Sequence, residues 1–264
     1  MDINTIKQKL ANLQPKQQKE KVDYKKIFFK PTVGKHTIRI VPSKFDPASP
    51  FKEVFVYYGM AKFPIYSLKN WGEKDPIEDF AAELRKTNNK DNWALANKIS
   101  PKMRIMVPVV VRGFEQDGVR LWEVGKEIYK QLLGIAEDED YGDYTNIEDG
   151  RDFTIDAVAS VTGTTKGVSC SIRIKPKTSQ LHSDPELVEK LLNDQIDVLS
   201  IQKKHTFDEL KTILQNWLNP EEEEVAADET ETDDDAGIVL VDNQPKHKPS
   251  RAKDFNSLFE EENN

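Results

Sequence analysis

Alternating apolar and polar positions run through the first half of the chain and predict β-strands. In HTIRIVPS, Ile38 and Ile40 fall on the same side of an extended segment, and in FKEVFVYYG so do Val54, Val56 and Tyr58. A period of two residues is typical of a strand with one buried face. We therefore expect a β-sheet core that starts near residue 28 with these two strands.

The stretch KMRIMVPVVVRGFEQDGVRLWEVGKEIYKQLLG predicts a strand, a turn at residues 116–118, a second strand and a helix. The residues expected to face the core are Ile105, Val107, Val109, Val111, Val119 and Leu121. Because successive side chains of a strand point to opposite faces, Arg104 and Arg112 then lie on the other face. On the second strand the same alternation places Arg120 and Trp122 together on that other side.

Two further strands are predicted in DFTIDAVAS, with Phe153 and Ile155 facing inward, and in VSCSIRIKPK. The apolar positions of the second of these strands are Val168, Cys170, Ile172 and Ile174. Arg173 and Lys175 occupy the alternate positions, so cations again share one face of a strand.

Helices are predicted from their capping residues and from apolar positions at helical spacing. The dipeptides Asp75–Pro76 and Asp184–Pro185 each supply an N-cap followed by a proline suited to the first helical turn. Thr206 and Glu209 have the spacing of a capping box ahead of a third helix. A short amphipathic helix is also expected over residues 3–13.

Charge is distributed unevenly along the chain. The 264 residues include 38 Lys or Arg and 46 Asp or Glu, and the formal net charge of −8 by itself argues against binding to a polyanion. Residues 220–264, however, hold fifteen acidic against four basic side chains, and residues 1–44 hold eleven basic against three acidic. Residues 1–219 therefore carry about +3, and the acidity belongs to the C-terminal segment.

These patterns predict three parts: a basic N-terminal arm over residues 1–27, a folded core over 28–219 and an acidic, disordered tail over 220–264. The segment EEEEVAADETETDDDAG has high charge, no periodicity and no aromatic residue, which is typical of disorder. The apolar residues of the final segment DFNSLFEEENN are Phe255, Leu258 and Phe259. Such a layout is typical of a short peptide that docks in a basic, hydrophobic groove of a partner protein.

Strands that expose cations beside aromatic rings favour the binding of single-stranded nucleic acid. Cations follow the phosphates and rings stack on unpaired bases of any sequence, whereas a duplex hides those bases. The candidates on the predicted strands are Lys102, Arg104, Arg112, Arg120, Trp122, Arg173 and Lys175. The candidates in the polar, irregular segment before the hairpin are Phe63, Tyr66, Trp71 and Trp93. Each has a simpler interpretation as a solubilising cation or a core ring, and it is the grouping that favours binding.

Few features favour catalysis, and we expect no enzymatic activity. The histidines His36, His182, His205 and His247 are scattered, and they form no metal-ligand spacing with one another or with Cys170. A single cysteine excludes an internal disulfide and fits a reducing compartment. No apolar stretch approaches the roughly 18 residues needed to span a bilayer. We therefore expect a cytoplasmic protein without a membrane partner.

Five segments, in order, resemble the helix-destabilising, single-stranded DNA-binding protein family of T-even and related phages. They are GKHTIRIVPSK, ASPFKEV, RLWEVGKEIYKQL, DGRDFTI and DQIDVLSIQKKHTFDELKTIL, within residues 30–218. The resemblance implies a mainly β, α+β protein: an oligonucleotide-binding (OB) fold β-barrel with inserted and C-terminal helices, whose cleft holds single-stranded DNA. It also implies cooperative self-association through the N-terminal arm, and an acidic tail that recruits proteins of phage DNA replication, recombination and repair.

The resemblance also assigns residues and marks departures. Trp122 falls where the family has a cleft tyrosine, and Lys98, Lys102 and Arg104 fall near its basic and aromatic cluster. The family's archetype holds a structural zinc with one His and three Cys, but the corresponding stretch YSLKNWGEKDPIEDFAAEL contains neither residue type. We therefore expect no zinc and no other cofactor, with hydrophobic packing of the helix from Pro76 in its place. The family's compact N-terminal basic and hydroxyl motif is not reproduced in KQKLANLQPKQQKEK.

Two other functions are compatible with the sequence. An RNA-binding module of the same fold would use the same stacking and phosphate contacts. A protein-interaction scaffold would act through its acidic tail, with a purely structural barrel in which Trp122 is buried. Sequence-independent binding of single-stranded DNA is the interpretation that the pattern favours.

Overall fold

The computed structural model of the chain describes residues 23–162 and 165–219. The strands are β1 (Phe28–Phe29), β2 (Gly34–Ile40), β3 (Lys52–Tyr57), β4 (Ile65–Tyr66), β5 (Lys102–Val111), β6 (Arg120–Val124), β7 (Arg151–Thr162) and β8 (Thr165–Thr178). The helices are α1 (Tyr24–Ile27), α2 (Pro76–Lys86), α3 (Lys90–Ile99), α4 (Lys126–Glu137), α5 (Pro185–Asn193), α6 (Val198–Ile201) and α7 (Phe207–Leu218). Short 3-10 turns occupy Leu68–Trp71 and Glu115–Asp117.

Several predictions fall outside these residues. They are the helix over residues 3–13, most of the basic arm, and the acidic tail with Phe255, Leu258 and Phe259.

The described strands form one mixed sheet in an α+β architecture. The strand order is β1-β6-β5-β2-β7-β8, and β3 branches from β5 and carries β4. β1 pairs with β6 in parallel, and the other pairings are antiparallel. Within residues 23–162 and 165–219 the pairing path ends at β1 and at β8, so hydrogen bonds do not close the sheet into a ring.

The predicted inward positions of the central strands form the main core. Ile38, Ile105, Phe153 and Ile155 are fully buried in one cluster, which α4 covers with Leu132. Burying an apolar side chain of this kind contributes about 1.5 to 3 kcal/mol to the free energy of unfolding. These positions confirm the strand predictions in HTIRIVPS, in the hairpin and in DFTIDAVAS.

The second face of β5 is buried as well, and the sequence pattern did not indicate this. Met106 packs with Val198 of α6, and Val110 packs with Leu187 and Leu191 of α5. Arg104 and Arg112 do share this face, as predicted, but they lie at opposite ends of it with buried residues between them. They therefore do not form one exposed row of cations.

A second layer is helical and packs beside the end of β3. Its core consists of Tyr57, Ile65, Leu68, Ile77, Phe80, Ala81, Leu84, Leu95, Ala96, Ile99, Leu210, Leu214 and Leu218. The predicted cap of α2 is confirmed, since Asp75 Oδ1 accepts from the backbone N–H groups of Ile77 and Glu78. Its other oxygen accepts from the hydroxyl of Ser67 at 2.7 Å, which fixes the preceding turn to the helix.

Helices α5 and α7 begin where the capping residues predict. Asp184 accepts from the N–H of Glu186, and Thr206 and Glu209 form both bonds of the capping box. Trp217 of α7 packs against the helical core, and its indole Nε1 donates to the carbonyl oxygen of Gly59 at 2.9 Å. Trp217 is therefore a packing residue of the helical layer.

Candidate nucleic-acid interface

Four polar side chains gather on one face of the sheet where β3 ends. Residues directly opposite each other in an antiparallel pair share a face, and Arg104 lies opposite Val54 while Lys102 lies opposite Val56. Tyr58 follows Val56 by two positions and therefore points to the same side. Glu123 of β6 reaches this face too, because its partner Met106 lies two residues after Arg104. We call the surface formed by Tyr58, Lys102, Arg104 and Glu123 the Tyr58 face.

Contacts within the Tyr58 face hold its central ring in a fixed position. The Tyr58 hydroxyl donates to Glu123 Oε1 at 2.9 Å and accepts from Arg104 Nε at 3.1 Å. The Arg104 guanidinium carbon lies 5.2 Å from the centre of the Tyr58 ring, within the range of a cation–π contact. Partial burial, reinforced by the Glu123 charge, raises the pKa of Tyr58 to about 12, so the ring is neutral at physiological pH.

Further cations and rings border the Tyr58 face. Lys98, at the end of α3, places Nζ 5.4 Å from the centre of the Trp217 ring, and Trp217 is bonded to Gly59. Lys102 donates to the carbonyl oxygen of Asn97 at 3.3 Å, which joins the start of β5 to the end of α3. Phe63 lies in the connection between β3 and β4 with 65% of its surface exposed, and the neighbouring Lys62 is 5.8 Å from its ring.

This arrangement combines the two chemical features that single strands require. Lys62, Lys98, Lys102 and Arg104 supply positive charge for phosphates, while Tyr58 (39% exposed) and Phe63 supply rings for unpaired bases. Stacking of one base on an aromatic side chain is worth about 1 to 3 kcal/mol. Gly59, at a φ of +75°, follows Tyr58 directly, and the β3–β4 connection that carries Lys62 and Phe63 begins there.

The placement of Trp122 on an exposed face was wrong. Its ring is 3% exposed and lies in the main core, edge-on to Phe29 at 6.4 Å. Leu121, on the opposite face of β6, is buried as well. Alternation within β6 was correct, but its two faces were assigned the wrong way round. Trp122 lies opposite Val107 and shares its core face, whereas Leu121 packs with Met106 on the other face.

The four aromatic candidates from the irregular segment separate into two groups. Tyr66 is buried against Val54 and Val56, and Trp71 is half-buried against the same cluster with Lys204 Nζ 5.7 Å from its ring. Tyr66 is therefore a core residue and not a stacking ring. Phe63 and Trp93 are exposed, Trp93 at 56% on the outer side of α3.

Arg112 and Arg120 make structural contacts within the protein and not an open cationic surface. Arg112 Nη2 donates to Asp152 Oδ1 at 2.8 Å and to the carbonyl oxygen of Gln180 at 3.0 Å. Arg120 forms an ion pair with Asp117 across the 3-10 turn, and its Nε is buried. The prediction that these two cations bind nucleic acid is therefore not supported by their positions, because both are paired within the protein and their side chains are only 19% and 23% exposed.

Arg173 and Lys175 lie on β8, at the opposite end of the strand order from β6. Arg173 is exposed and its Nη2 lies 3.4 Å from Asp156 Oδ2 of β7, while Lys175 is half-buried. The predicted sharing of one strand face is confirmed, but the contacts that build the Tyr58 face do not include these two residues.

Sequence reasoning missed Tyr58 as a candidate, although it placed the side chain on the correct face. The period-two pattern grouped Tyr58 with Val54 and Val56 and so predicted a buried ring. The available signal was Gly59, because a glycine directly after a strand marks the end of that strand and hence a more exposed position.

Two kinds of feature are absent from the part of the chain that the structure describes. Within the described residues, no group of three or more His, Cys, Asp or Glu side chains is placed to hold a metal ion. None of the described helices is both long and apolar enough to cross a membrane.

Comparison with protein-family models matches the chain to one family. The model of the family described as "gp32 DNA binding protein like" matches residues 32–219, which include every residue of the Tyr58 face. A search of curated proteins finds no match to the chain.

Proposed function

Because the chain belongs to the gp32-like DNA-binding protein family, we propose that it binds single-stranded DNA across the Tyr58 face, without sequence preference and without enzymatic activity. The observation that carries this proposal is an exposed tyrosine, Tyr58, that contacts Arg104 and precedes Gly59, to which Trp217 of the Lys98–Trp217 pair is bonded. Rings and phosphate-binding cations within reach of each other fit an unpaired strand better than a duplex, in which base faces are stacked and inaccessible.

Sequence independence follows from the kind of contacts available. The cations of this surface recognise phosphates, which are the same at every nucleotide, and a phenol or phenyl ring stacks on any base. The ionic part of the binding should weaken as salt rises, because each neutralised phosphate releases counterions.

We also propose that the sheet is a partly open OB barrel. Strands β2, β5 and β6 form an antiparallel meander, α4 follows, and the β7–β8 hairpin returns to the other edge of β2. This connectivity supports a five-stranded Greek-key barrel, a fold that commonly binds oligonucleotides on one face.

The terminal segments extend the proposal. We propose cooperative self-association through residues 1–27, and recruitment of replication, recombination and repair proteins through residues 220–264. The acidic tail is a tethered polyanion and competes weakly with DNA for the cations of the core. Removal of residues 221–264 should therefore raise DNA affinity at low salt, and unchanged affinity would contradict this regulatory role.

We further propose that the core needs no zinc or other cofactor. The packing of Ile77, Phe80 and Leu84 against α3 and α7 supports this, because it gives the helical layer an apolar core of its own. The protein would act in the cytoplasm of a host cell, where its single cysteine stays reduced.

The proposal is tested by fluorescence anisotropy of a labelled oligo(dT) titrated with the full chain at low and high salt. Binding that weakens with salt and resists an excess of duplex DNA is the expected result. Failure to bind oligo(dT) at low salt would overturn the proposal and favour a protein-interaction scaffold. A matched RNA competitor that displaces oligo(dT) at equal concentration would favour an RNA-binding module.

A further inference from the structure

The carboxylate of Glu123 stands among the cations of the Tyr58 face. Its Oε1 atom accepts from the Tyr58 hydroxyl at 2.9 Å and lies 3.2 Å from Arg104 Nε. A negative charge at this position repels the DNA phosphates that the neighbouring cations would attract. The effect of Glu123 on this surface therefore lies in its contacts with Arg104 and Tyr58.

In the protein without DNA, Arg104 and Tyr58, the two groups that would contact a strand, already contact other side chains. The Arg104 charge is paired with Glu123, and the Arg104 guanidinium covers one face of the Tyr58 ring at 5.2 Å. The side chains of Arg104 and Glu123 are 36% and 40% exposed, so a phosphate from solvent can reach the pair. A competing anion can therefore reach the contact between Arg104 and Glu123, which is not buried in the core.

We propose that Glu123 is an internal competitor for the DNA phosphate at Arg104. This inference rests on the proposed binding of single-stranded DNA at the Tyr58 face. A phosphate and a carboxylate accept hydrogen bonds from the same guanidinium edges, so an incoming phosphate displaces Glu123 from Arg104.

Displacement of Glu123 from Arg104 also affects the Tyr58 ring. When Arg104 turns towards a phosphate, it leaves the face of Tyr58 that it covers, and that face becomes available to an unpaired base. Phosphate capture and base stacking are then coupled through one arginine. A strand that carries both a phosphate and a free base gains from both steps.

The substitution Glu123→Gln tests the inference, because it removes the charge but keeps the side-chain size and an oxygen that accepts from Tyr58. Exposed ion pairs of this kind are worth a small free energy, so oligo(dT) should bind about two- to fivefold more tightly at low salt. The gain should shrink at high salt, where charges at an exposed site are screened.

Glu53→Gln is the matched control. Glu53 is an exposed carboxylate on β3 that also accepts from a tyrosine hydroxyl, that of Tyr129, at 3.1 Å. It lies opposite Ile105 and therefore points away from the Tyr58 face. The two substitutions change the net charge equally, and only Glu123→Gln should tighten binding.

Combination with Arg104→Gln completes the test. In that background Glu123→Gln should give no gain, because the cation for which Glu123 competes is absent. The inference is overturned if the wild-type chain binds oligo(dT) but Glu123→Gln does not tighten binding, if Glu53→Gln gives an equal gain, or if the gain persists without Arg104. If the wild-type chain itself fails to bind oligo(dT), the proposed function and this inference are both overturned. This outcome differs from the three above, in which the wild-type chain binds.

Discussion

The guanidinium of Arg112 donates from Nη2 to Oδ1 of Asp152 at 2.8 Å, and this bond joins the end of β5 to the start of β7. The same oxygen accepts from Nε of Arg39 at 3.0 Å, and Arg39 is fully buried in β2. Arg39 also donates to the hydroxyl and carbonyl oxygens of Ser179. One carboxylate thus bonds two arginines and joins β2, the end of β5 and β7.

Asp152→Asn should destabilise the fold and leave DNA binding intact. Removing one partner of a buried ion pair leaves charge uncompensated and costs about 3 kcal/mol in the free energy of unfolding. Urea unfolding measures this loss. Asp156→Asn is the control, since it removes an exposed contact to Arg173 and should cost less than about 1 kcal/mol. Equal losses in the two variants would contradict the structural role given to Asp152.

Trp122→Phe should leave the DNA-induced change in tryptophan fluorescence intact. Trp122 is buried in the core, whereas Trp217 donates a hydrogen bond to Gly59, the residue after Tyr58. We expect oligo(dT) to quench wild type and Trp122→Phe by the same absolute amount, and Trp217→Phe by a smaller amount. The core substitution should lower stability by about 1 kcal/mol. Loss of quenching in Trp122→Phe would instead place DNA against Trp122.

His205 should make the fold less stable in mild acid. Burial, with help from Lys203, lowers the pKa of His205 below its ordinary 6.5, although Glu209 acts in the opposite direction. A lowered folded-state pKa favours the neutral ring, so its contribution is present above pH 6.5 and is lost as pH falls towards the folded-state pKa. Denaturant unfolding at pH 7.5 and 5.5 should show a smaller loss of stability in His205→Gln than in wild type. Identical losses would exclude His205 as the titrating group.

Lys102→Gln should weaken DNA binding and reduce its salt dependence. If Lys102 neutralises one phosphate, the slope of log K against log salt should fall by about 0.7, the value for single strands. Lys130→Gln is the control, because Lys130 is exposed on α4, whose Leu132 packs on the opposite face of the sheet. Anisotropy titrations at several salt concentrations give both slopes. A Lys130→Gln slope that changes as much as that of Lys102→Gln would show that only net charge matters.

Local signals in the sequence predicted the elements well. The caps at Asp75, Asp184 and Thr206 marked the starts of helices α2, α5 and α7, because a capping side chain acts on N–H groups two or three residues away. The period-two pattern found the inward faces of β2, β5 and β7 for the same reason: alternation is a property of the strand itself.

Burial of the second face of a strand depends on segments that are distant in the sequence. The pattern of the strand itself therefore did not predict this burial. Met106 and Val110 are buried by α5 and α6, which lie some eighty residues later in the chain. Arg112, which lies on this face, was consequently taken for a surface residue. Trp122 was taken for one because the sequence does not give the pairing of β6 with β5, which places Trp122 opposite Val107 in the main core. Helix α3 was missed because its polar sequence KDNWALANK shows few apolar positions, and tertiary packing of Leu95 and Ile99 stabilises it.

If single-stranded DNA lies across the Tyr58 face, ultraviolet light should cross-link oligo(dT) to residues at this surface of the full chain, and mass spectrometry of the linked peptides identifies them. The structure provides internal controls, since Phe45 and Phe114 are exposed to a degree similar to Phe63 but lie in other loops. Cross-links are expected at Tyr58 and Phe63. Cross-links confined to Phe45 or Phe114, with none in residues 58–63, would contradict it.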